Sequence, residues 1–216
     1  MKTSVGRFGL TILWFLGLAL AIAVSIRFAL HPGPINGEFR FQRWVQSLPI
    51  ATATEIGNDL AYSHVSVPIG TGLAIVALLR RRFDLSLLLA LPGLIRITNG
   101  LIKDLVERPR PTAEQVRITD HASGFSFPSG HTFGAALLFG AMILCLWRLP
   151  LPRLFRIGGT ILLLFLIALC GIARIYVGAH WPTDVGGAWL IAALWIGLLA
   201  KIADLISLRF GPMDHF

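Results

Sequence analysis

Charge is scarce in this chain. Asp, Glu, Lys and Arg make up 14% of its 216 residues, where soluble domains carry about 25%. With 55% hydrophobic residues, that shortage excludes an ordinary soluble domain and points to an all-α integral membrane protein. Acid is scarcer still: 11 Asp and Glu stand against 19 Lys and Arg, for a net charge of +8. No acidic cluster has the spacing of a metal site, so nothing in the residues argues for a metal or a cofactor. The basic excess would suggest nucleic acid in a soluble protein. Here much of it sits in short loops between apolar runs, which is a topology signal, and no nucleic-acid partner is expected. The two cysteines, Cys145 and Cys170, lie inside apolar runs and read as core filler that says little about redox compartment. Internal repeats and low-complexity segments are absent, and the length suits one membrane-embedded domain over residues 1–216.

What is present is a series of apolar stretches close to the ~20 residues a bilayer core requires. The first runs from Phe8 to Val24 and continues to Leu30, behind Lys2 and Arg7. It reads as an uncleaved span, although Ala21-Ile22-Ala23 resembles a signal-peptide site. Pro32, Gly33, Pro34 and Gly37 end it. Over 35–50, Phe41, Trp44, Val45 and Leu48 follow the i, i+3, i+4, i+7 pattern. That predicts a short amphipathic helix lying at the membrane surface between spans one and two. Further spans are expected over 56–79, 85–103, 130–147, 157–176 and 184–205, giving a six-transmembrane-helix bundle. Six spans put both termini on one side, together with the basic loops 80–82 and 148–156 and with Lys2, Arg7 and Arg209. The positive-inside rule makes that side cytoplasmic. Segments 31–56, 104–129 and 177–183 then face outward. The middle one is also basic, which suggests that its charges serve an anionic ligand.

Three clusters carry chemistry. One is Lys103 with Arg110-Pro111, six residues lying between the Lys and the Arg. A second is Pro128-Ser129-Gly130-His131, where a polar segment meets the fourth span. A helix start of this kind aims backbone N–H groups at an anion. The third is Arg174, His180 and Asp184. The expected topology brings all three to one membrane surface. Lys103, Arg110 and Arg174 would supply fixed cations for phosphate oxygens, with Ser129 and the amides of Gly130 and His131 adding donors. Two histidines offer a nucleophile and an acid. Asp184, four residues after His180, can orient its ring.

These motifs, in this order and at these spacings, resemble the three signatures of the type 2 phosphatidic acid phosphatase family. The motifs cover 103–184, and the six-span layout extends the likeness over nearly the whole chain. Ala173 stands where the family usually has Ser, which removes one hydroxyl but no charge. The resemblance implies a metal-free phosphohydrolase acting on a phospholipid or polyprenyl (pyro)phosphate dissolved in the bilayer. In it His180 attacks phosphorus to form a phosphohistidine, Asp184 orients His180, and His131 protonates the leaving oxygen. Lys103, Arg110, Ser129, Gly130 and Arg174 hold the phosphoryl oxygens. A bacterial inner-membrane enzyme with a periplasmic site is the expected setting; oligomeric state is left open. Two rivals remain: a phosphotransferase of the same fold, and an anion transporter or channel.

Polar residues inside the spans raise a further expectation. Arg96, Asn99 and Lys103 follow i, i+3, i+7 and would share a helix face, and His64 lies within the second span. Intramembrane polar groups of this kind face a cavity or a partner. Arg96, Asn99 and His64 are therefore candidates for lining the substrate cavity, with a buried structural pairing as the competing reading. Arg108 reads as a surface or loop-pairing residue, Trp147 and Trp181 as span-end residues for interface anchoring or packing, and Lys201 and Asp204 as a helical ion pair.

Overall fold

A computed structural model describes residues 2–210; among these the chain forms nine α-helices and no strand. The side chains of Lys2, Arg7 and Arg209 lie outside the described residues. α1 (Lys2–Leu30) stops just short of Pro32, which lacks the N–H to continue it. α2 (Glu38–Ser47) starts after Gly37, whose φ of 92° is left-handed and open to glycine. α3 (Ala51–Ala61) and α4 (Ser63–Leu79) meet at 57° across an extended Tyr62. α5 (Phe83–Ile95) and α6 (Ile97–Val106) adjoin at Arg96 and cross together. α7 (Gly130–Arg148), α8 (Arg153–Tyr176) and α9 (Pro182–Phe210) complete the bundle. Proline is well placed at the head of α9, because the first helical N–H has no partner in any case.

Five helical segments are long and apolar enough to span a bilayer, and the bent pair α3–α4 makes a sixth. α7 is the central helix: 61% of its apolar window is buried within the protein, against 11% for α1. The outer helices present large apolar side chains instead, among them Leu13, Phe15 and Leu16 on α1 and Ile161 and Phe165 on α8. In water such a belt would be an aggregation surface, whereas hydrocarbon accepts it without penalty.

Several sequence expectations change here. The second span is not one straight helix, since Tyr62 breaks it. The third reaches from Phe83 to Val106 and is interrupted at Arg96, so the proposed Arg96–Asn99–Lys103 stripe crosses a helix boundary. α2 forms as expected, with its apolar residues divided between the protein and the exposed side. Its buried face is Glu38, Gln42 and Val45, while Phe41 and Trp44 are 48% and 57% exposed. Aromatic rings suit the level of lipid head groups, and the polar residues are needed inside. Trp181 is no interface anchor: it is buried and donates its indole N–H to the Pro109 carbonyl at 3.0 Å. Asp204 takes Arg148 at 2.5 Å, not Lys201.

The segment between α6 and α7 is folded onto the bundle end where α6 and α8 finish and α7 and α9 begin. The Thr119 N–H donates to the Val177 carbonyl at 2.9 Å, and the Ser126 N–H to that of Arg108 at 2.7 Å. α2 braces it: Gln46 Nε2 donates to the carbonyls of Arg117 (2.6 Å) and Tyr176 (2.9 Å), and Gln42 Nε2 to that of Ile175 (3.2 Å). Gly178 lets this segment approach. Its φ is +78°, and a Cβ there would stand 2.2 Å from the Arg117 carbonyl oxygen. Gly178→Ala should therefore destabilise the protein by on the order of 2 kcal/mol and weaken substrate binding. Thermal unfolding of the detergent-purified protein, read beside KM, tests this.

Candidate active site

His180 and Asp184 organise the site. His180 sits in the turn between α8 and α9, and both residues are buried, at 1% and 0% exposure. Asp184 lies in the first turn of α9, where a carboxylate is favoured by the helix dipole and by free N–H groups. Its Oδ2 accepts the Trp181 N–H at 2.8 Å and the Ser126 hydroxyl, and lies 3.6 Å from His180 Nδ1. Its Oδ1 accepts Arg108 Nη1 at 2.6 Å. On the other side of the ring, Arg110 Nη1 stands 3.0 Å from His180 Nε2. An arginine has no acceptor, so Nε2 must offer its lone pair and the ring proton must be on Nδ1, toward Asp184 and Ser126. Burial pushes the His180 imidazole down to about 4, against the opposing pull of Asp184. The ring is thus neutral at neutral pH, with a nucleophilic nitrogen toward the cations.

Those cations surround a cavity of about 440 Å³ whose lining includes Lys103, Arg110, Arg174, Gly130, His131 and His180. Arg110 donates to the carbonyls of Ser123 (2.9 Å), Gly124 (2.9 Å), Phe125 (3.1 Å) and Ala179 (2.7 Å). Lys103 Nζ also donates to Phe125 O. Arg174, fully buried, holds Asp120 at 2.7 Å and Asn58, and its Nε has no protein partner. Burial and the nearby Arg174 both lower the pKa of Arg110, as expected where like charges crowd without a full set of counter-ions. An anion is the natural guest.

The structure brings Lys103, Arg110, Gly130, His131, Arg174 and His180 to one cavity, with Asp184 directly behind. Ser129 is set back: its hydroxyl pairs with Thr132 Oγ1 at 2.9 Å, and its N–H donates to the Asp184 carbonyl at 3.2 Å. Asn99, Arg96 and His64 do not line this cavity. Asn99 Nδ2 donates to the Pro128 carbonyl at 3.3 Å and so supports the turn before α7. Arg96 donates to Ser66 Oγ at 2.6 Å in a small separate pocket. It lies against Gly134, where a Cβ would come within 2.2 Å of Cζ. His64 is exposed and stacks on Tyr62, whose ring meets His131 edge-on at 4.8 Å. Among the described residues no three His, Cys, Asp or Glu side chains are grouped as metal ligands.

Sequence reasoning missed Asn58, Tyr62, Asp120 and Ser126, and it misplaced Arg108. That residue is fully buried, between Asp184 and Glu38. One signal was available. In Arg108-Pro109-Arg110-Pro111 the prolines favour an extended backbone, in which residues two apart need not share surroundings. Arg108 reaches the back of Asp184 while Arg110 reaches the front of His180.

The fold and site thus define a class: a helical membrane protein with a buried His–Asp pair facing a cationic cavity. The family model described as the PAP2 superfamily matches residues 82–206. Phosphatidylglycerophosphatase B of Bacillus subtilis is 30% identical over 168 residues, covering 77% of this chain and 79% of its own length. Undecaprenyl-diphosphatase BcrC of Bacillus subtilis is 35% identical over 112 residues, covering 51% of this chain and 53% of its own. A crystal structure of a transmembrane PAP2-type phosphatidylglycerolphosphate phosphatase from Bacillus subtilis superposes with a TM-score of 0.74. It is 26% identical, covering 90% of this chain and 96% of that one. The chain belongs to the PAP2 superfamily.

The depressed pKa of His180 has a consequence for stability. In the unfolded chain the imidazole titrates near 6.5, and in the fold at about 4. Between those values the unfolded state binds a proton that the folded state does not, so stability falls as pH drops from about 6.5 to about 4. Above that window the group contributes no pH dependence. The difference in thermal midpoint between wild type and His180→Asn should be flat above pH 7 and shift against the wild type through this acid window.

Proposed function

We propose that this PAP2-type lipid phosphatase removes the terminal phosphate of a lipid phosphate or diphosphate through a phosphohistidine on His180, without a metal. The observation that carries the reading is the 3.0 Å approach of Arg110 to His180 Nε2. It places a lone pair beside the cation that would hold the phosphoryl group. As phosphate enters, its oxygens take over Arg110, Lys103 and Arg174 from the loop carbonyls and Asp120. His180 Nε2 bonds to phosphorus as the P–O bond to the lipid breaks, and His131, which gains a proton as the anionic phosphate enters among the cations, gives that proton to the departing oxygen. Water then attacks phosphorus, returns a proton to His131, and breaks the P–N bond. Asp184 stabilises the cationic ring between the two steps. Phosphoryl transfer depends mainly on positioning and on charge stabilisation of a loose transition state. Three fixed cations and the N-terminal amides of α7 can supply that charge.

Substrates follow from the relatives: phosphatidylglycerophosphate and undecaprenyl diphosphate first, with phosphatidic acid and lipid A 1-phosphate as further members of a test panel. A site at span ends suits them, because the head group reaches the cations while the tails stay in lipid. The periplasmic face of a bacterial inner membrane is the setting we infer. The basic loops at 80–82 and 148–156 lie at the other end of the spans from the site.

Purified protein should release phosphate from a lipid of this panel with no acceptor present, and chelator should not abolish the release. His180→Ala should lose at least ~10³-fold of the activity. Retained hydrolysis would refute the phosphohistidine route, and loss on chelation the metal-free one; turnover only with an added lipid acceptor would make the enzyme a phosphotransferase. Sidedness has its own test. Cys145 and Cys170 are buried, so an impermeant thiol reagent on intact cells should label Glu114→Cys. It should reach Arg153→Cys only after the membrane is opened.

A further inference from the structure

The buried chain Glu38–Arg108–Asp184 extends the His180 site to the surface helix α2. Arg108 and Asp184 are 0% exposed and Glu38 is 5% exposed. Arg108 Nη2 donates to Glu38 Oε2 at 2.8 Å and Nη1 to Asp184 Oδ1 at 2.6 Å. Thr183 joins them: its hydroxyl accepts Arg108 Nη1 at 2.7 Å and donates to Glu38 Oε1. Glu38 Oε1 also accepts the Thr183 N–H at 3.1 Å, and Oε2 the Ile35 N–H at 2.6 Å. The guanidinium lies 3.8 Å over the Phe28 ring, which closes off water. Both carboxylates of this chain are engaged on both oxygens, as buried charges require.

Charge counting gives the cluster a purpose. Glu38, Arg108 and Asp184 together carry one net negative charge. Without Glu38 the sum is zero, and Arg108 would have Asp184 as its sole nearby carboxylate. A guanidinium fork takes both oxygens of a carboxylate readily. Asp184 would then turn its charge away from His180, from which it is already separated by 3.6 Å. The moment when that charge counts most is the intermediate, since a ring phosphorylated on Nε2 with a proton on Nδ1 is cationic. Between buried groups, one full charge at this range matters to that cation.

We propose that Glu38 is a positioning residue: by taking Arg108 Nη2 it limits Arg108 to Asp184 Oδ1, so that Oδ2 stays on the His180 side to stabilise the phosphorylated ring. The inference rests on the phosphohistidine reading above. It assigns to α2 a part in catalysis, although α2 contributes no residue to the cavity lining.

The test uses the full-length protein in lipid nanodiscs, with phosphatidylglycerophosphate or undecaprenyl diphosphate, whichever wild type turns over. Glu38→Gln should lower kcat ~10- to 100-fold, the range seen when a group that orients a functional ligand is removed, with KM within about twofold. Single turnovers quenched in alkali with denaturant, in which a phosphohistidine P–N bond survives, should show less phosphoenzyme in proportion. Glu38→Asp, which keeps the charge, should restore most of the loss. Asp204→Asn, at the far end of the bundle, reports what general loosening does to kcat. An unchanged kcat in Glu38→Gln overturns the proposal, as does a fall matched by KM or by the folded fraction. If Glu38→Gln does not fold, Thr183→Val takes its place: it removes only the hydroxyl bridge, and an unaltered kcat there overturns the proposal equally. Wild type that makes no phosphoenzyme, with His180→Ala still active, refutes the phosphohistidine reading instead, a result distinct from any outcome for Glu38.

Discussion

The structure turns on keeping one fully buried carboxylate ionised. Asp184 has 0% exposure, and a bare carboxylate in that position would cost several kcal/mol. Its donors come from far apart in the chain: Arg108 and Ser126 from the segment between α6 and α7, and Trp181 from the turn before α9, with His180 Nδ1 standing 3.6 Å away. Each donor fixes a piece of backbone. Arg108 needs a second anion and recruits Glu38 from α2. Trp181 must be buried for its N–H to reach Asp184, and its ring then packs edge-on against Phe39 of α2. The docking of the surface helix and the folding of the long polar segment are therefore consequences of one buried charge.

On the other side of His180 the problem is reversed. Arg110, Lys103 and Arg174 converge with few carboxylates to answer them. The segment 120–125 supplies what is missing through backbone carbonyls on Arg110 and Lys103 and through Asp120 on Arg174. These partners have the polarity of phosphate oxygens, so in the proposed mechanism ligand binding is an exchange of oxygen atoms at the same donors. Carbonyl dipoles compensate a cation less completely than an anion does. In that mechanism the difference favours a phosphoryl group over the carbonyls.

Much of this was legible in the sequence because it depends on spacing along a helix or on helix length. His180 and Asp184 share the start of α9 and lie close together, and Asn99 and Lys103 stay together on α6. The membrane spans follow from apolar length alone. What could not be read depends on pairing across the bundle. Arg108 looked like a surface charge because nothing local betrays that Glu38, 70 residues away, is its partner. The helix at 38–47 was expected from its apolar periodicity, and Phe41 and Trp44 are exposed as an interfacial helix requires. Periodicity shows that a helix has two faces, but not that Arg108 and the Ile175 carbonyl await Glu38 and Gln42 on the other one. Arg96 illustrates the same limit. Its depth in the span marked it as unusual, but its placement depends on Gly134 in another helix having no side chain.

The two interruptions of regular helix bear on why the site can exist inside a bundle at all. Continuous helices bury their backbone polar groups in their own hydrogen bonds and present only side chains. At Tyr62 the chain becomes extended between α3 and α4, and the 57° bend brings the ring against His131. At Arg96 the regular helix is interrupted between α5 and α6, and α6 then carries Asn99 to the Pro128 carbonyl and Lys103 to the cavity. A straight second span would carry Tyr62 past the level of His131. In hydrocarbon such breaks are costly unless side chains or neighbouring helices satisfy the freed groups. At the first break the Tyr62 carbonyl accepts the N–H groups of Val65 (3.1 Å) and Ser66 (2.9 Å) and the Ser66 hydroxyl (2.9 Å). The same hydroxyl accepts the Arg96 side chain at 2.6 Å and so links α4 to the second break. The polar residues inside these spans are better understood as the fittings that let two helices depart from ideality beside the catalytic cavity than as ligands for the substrate.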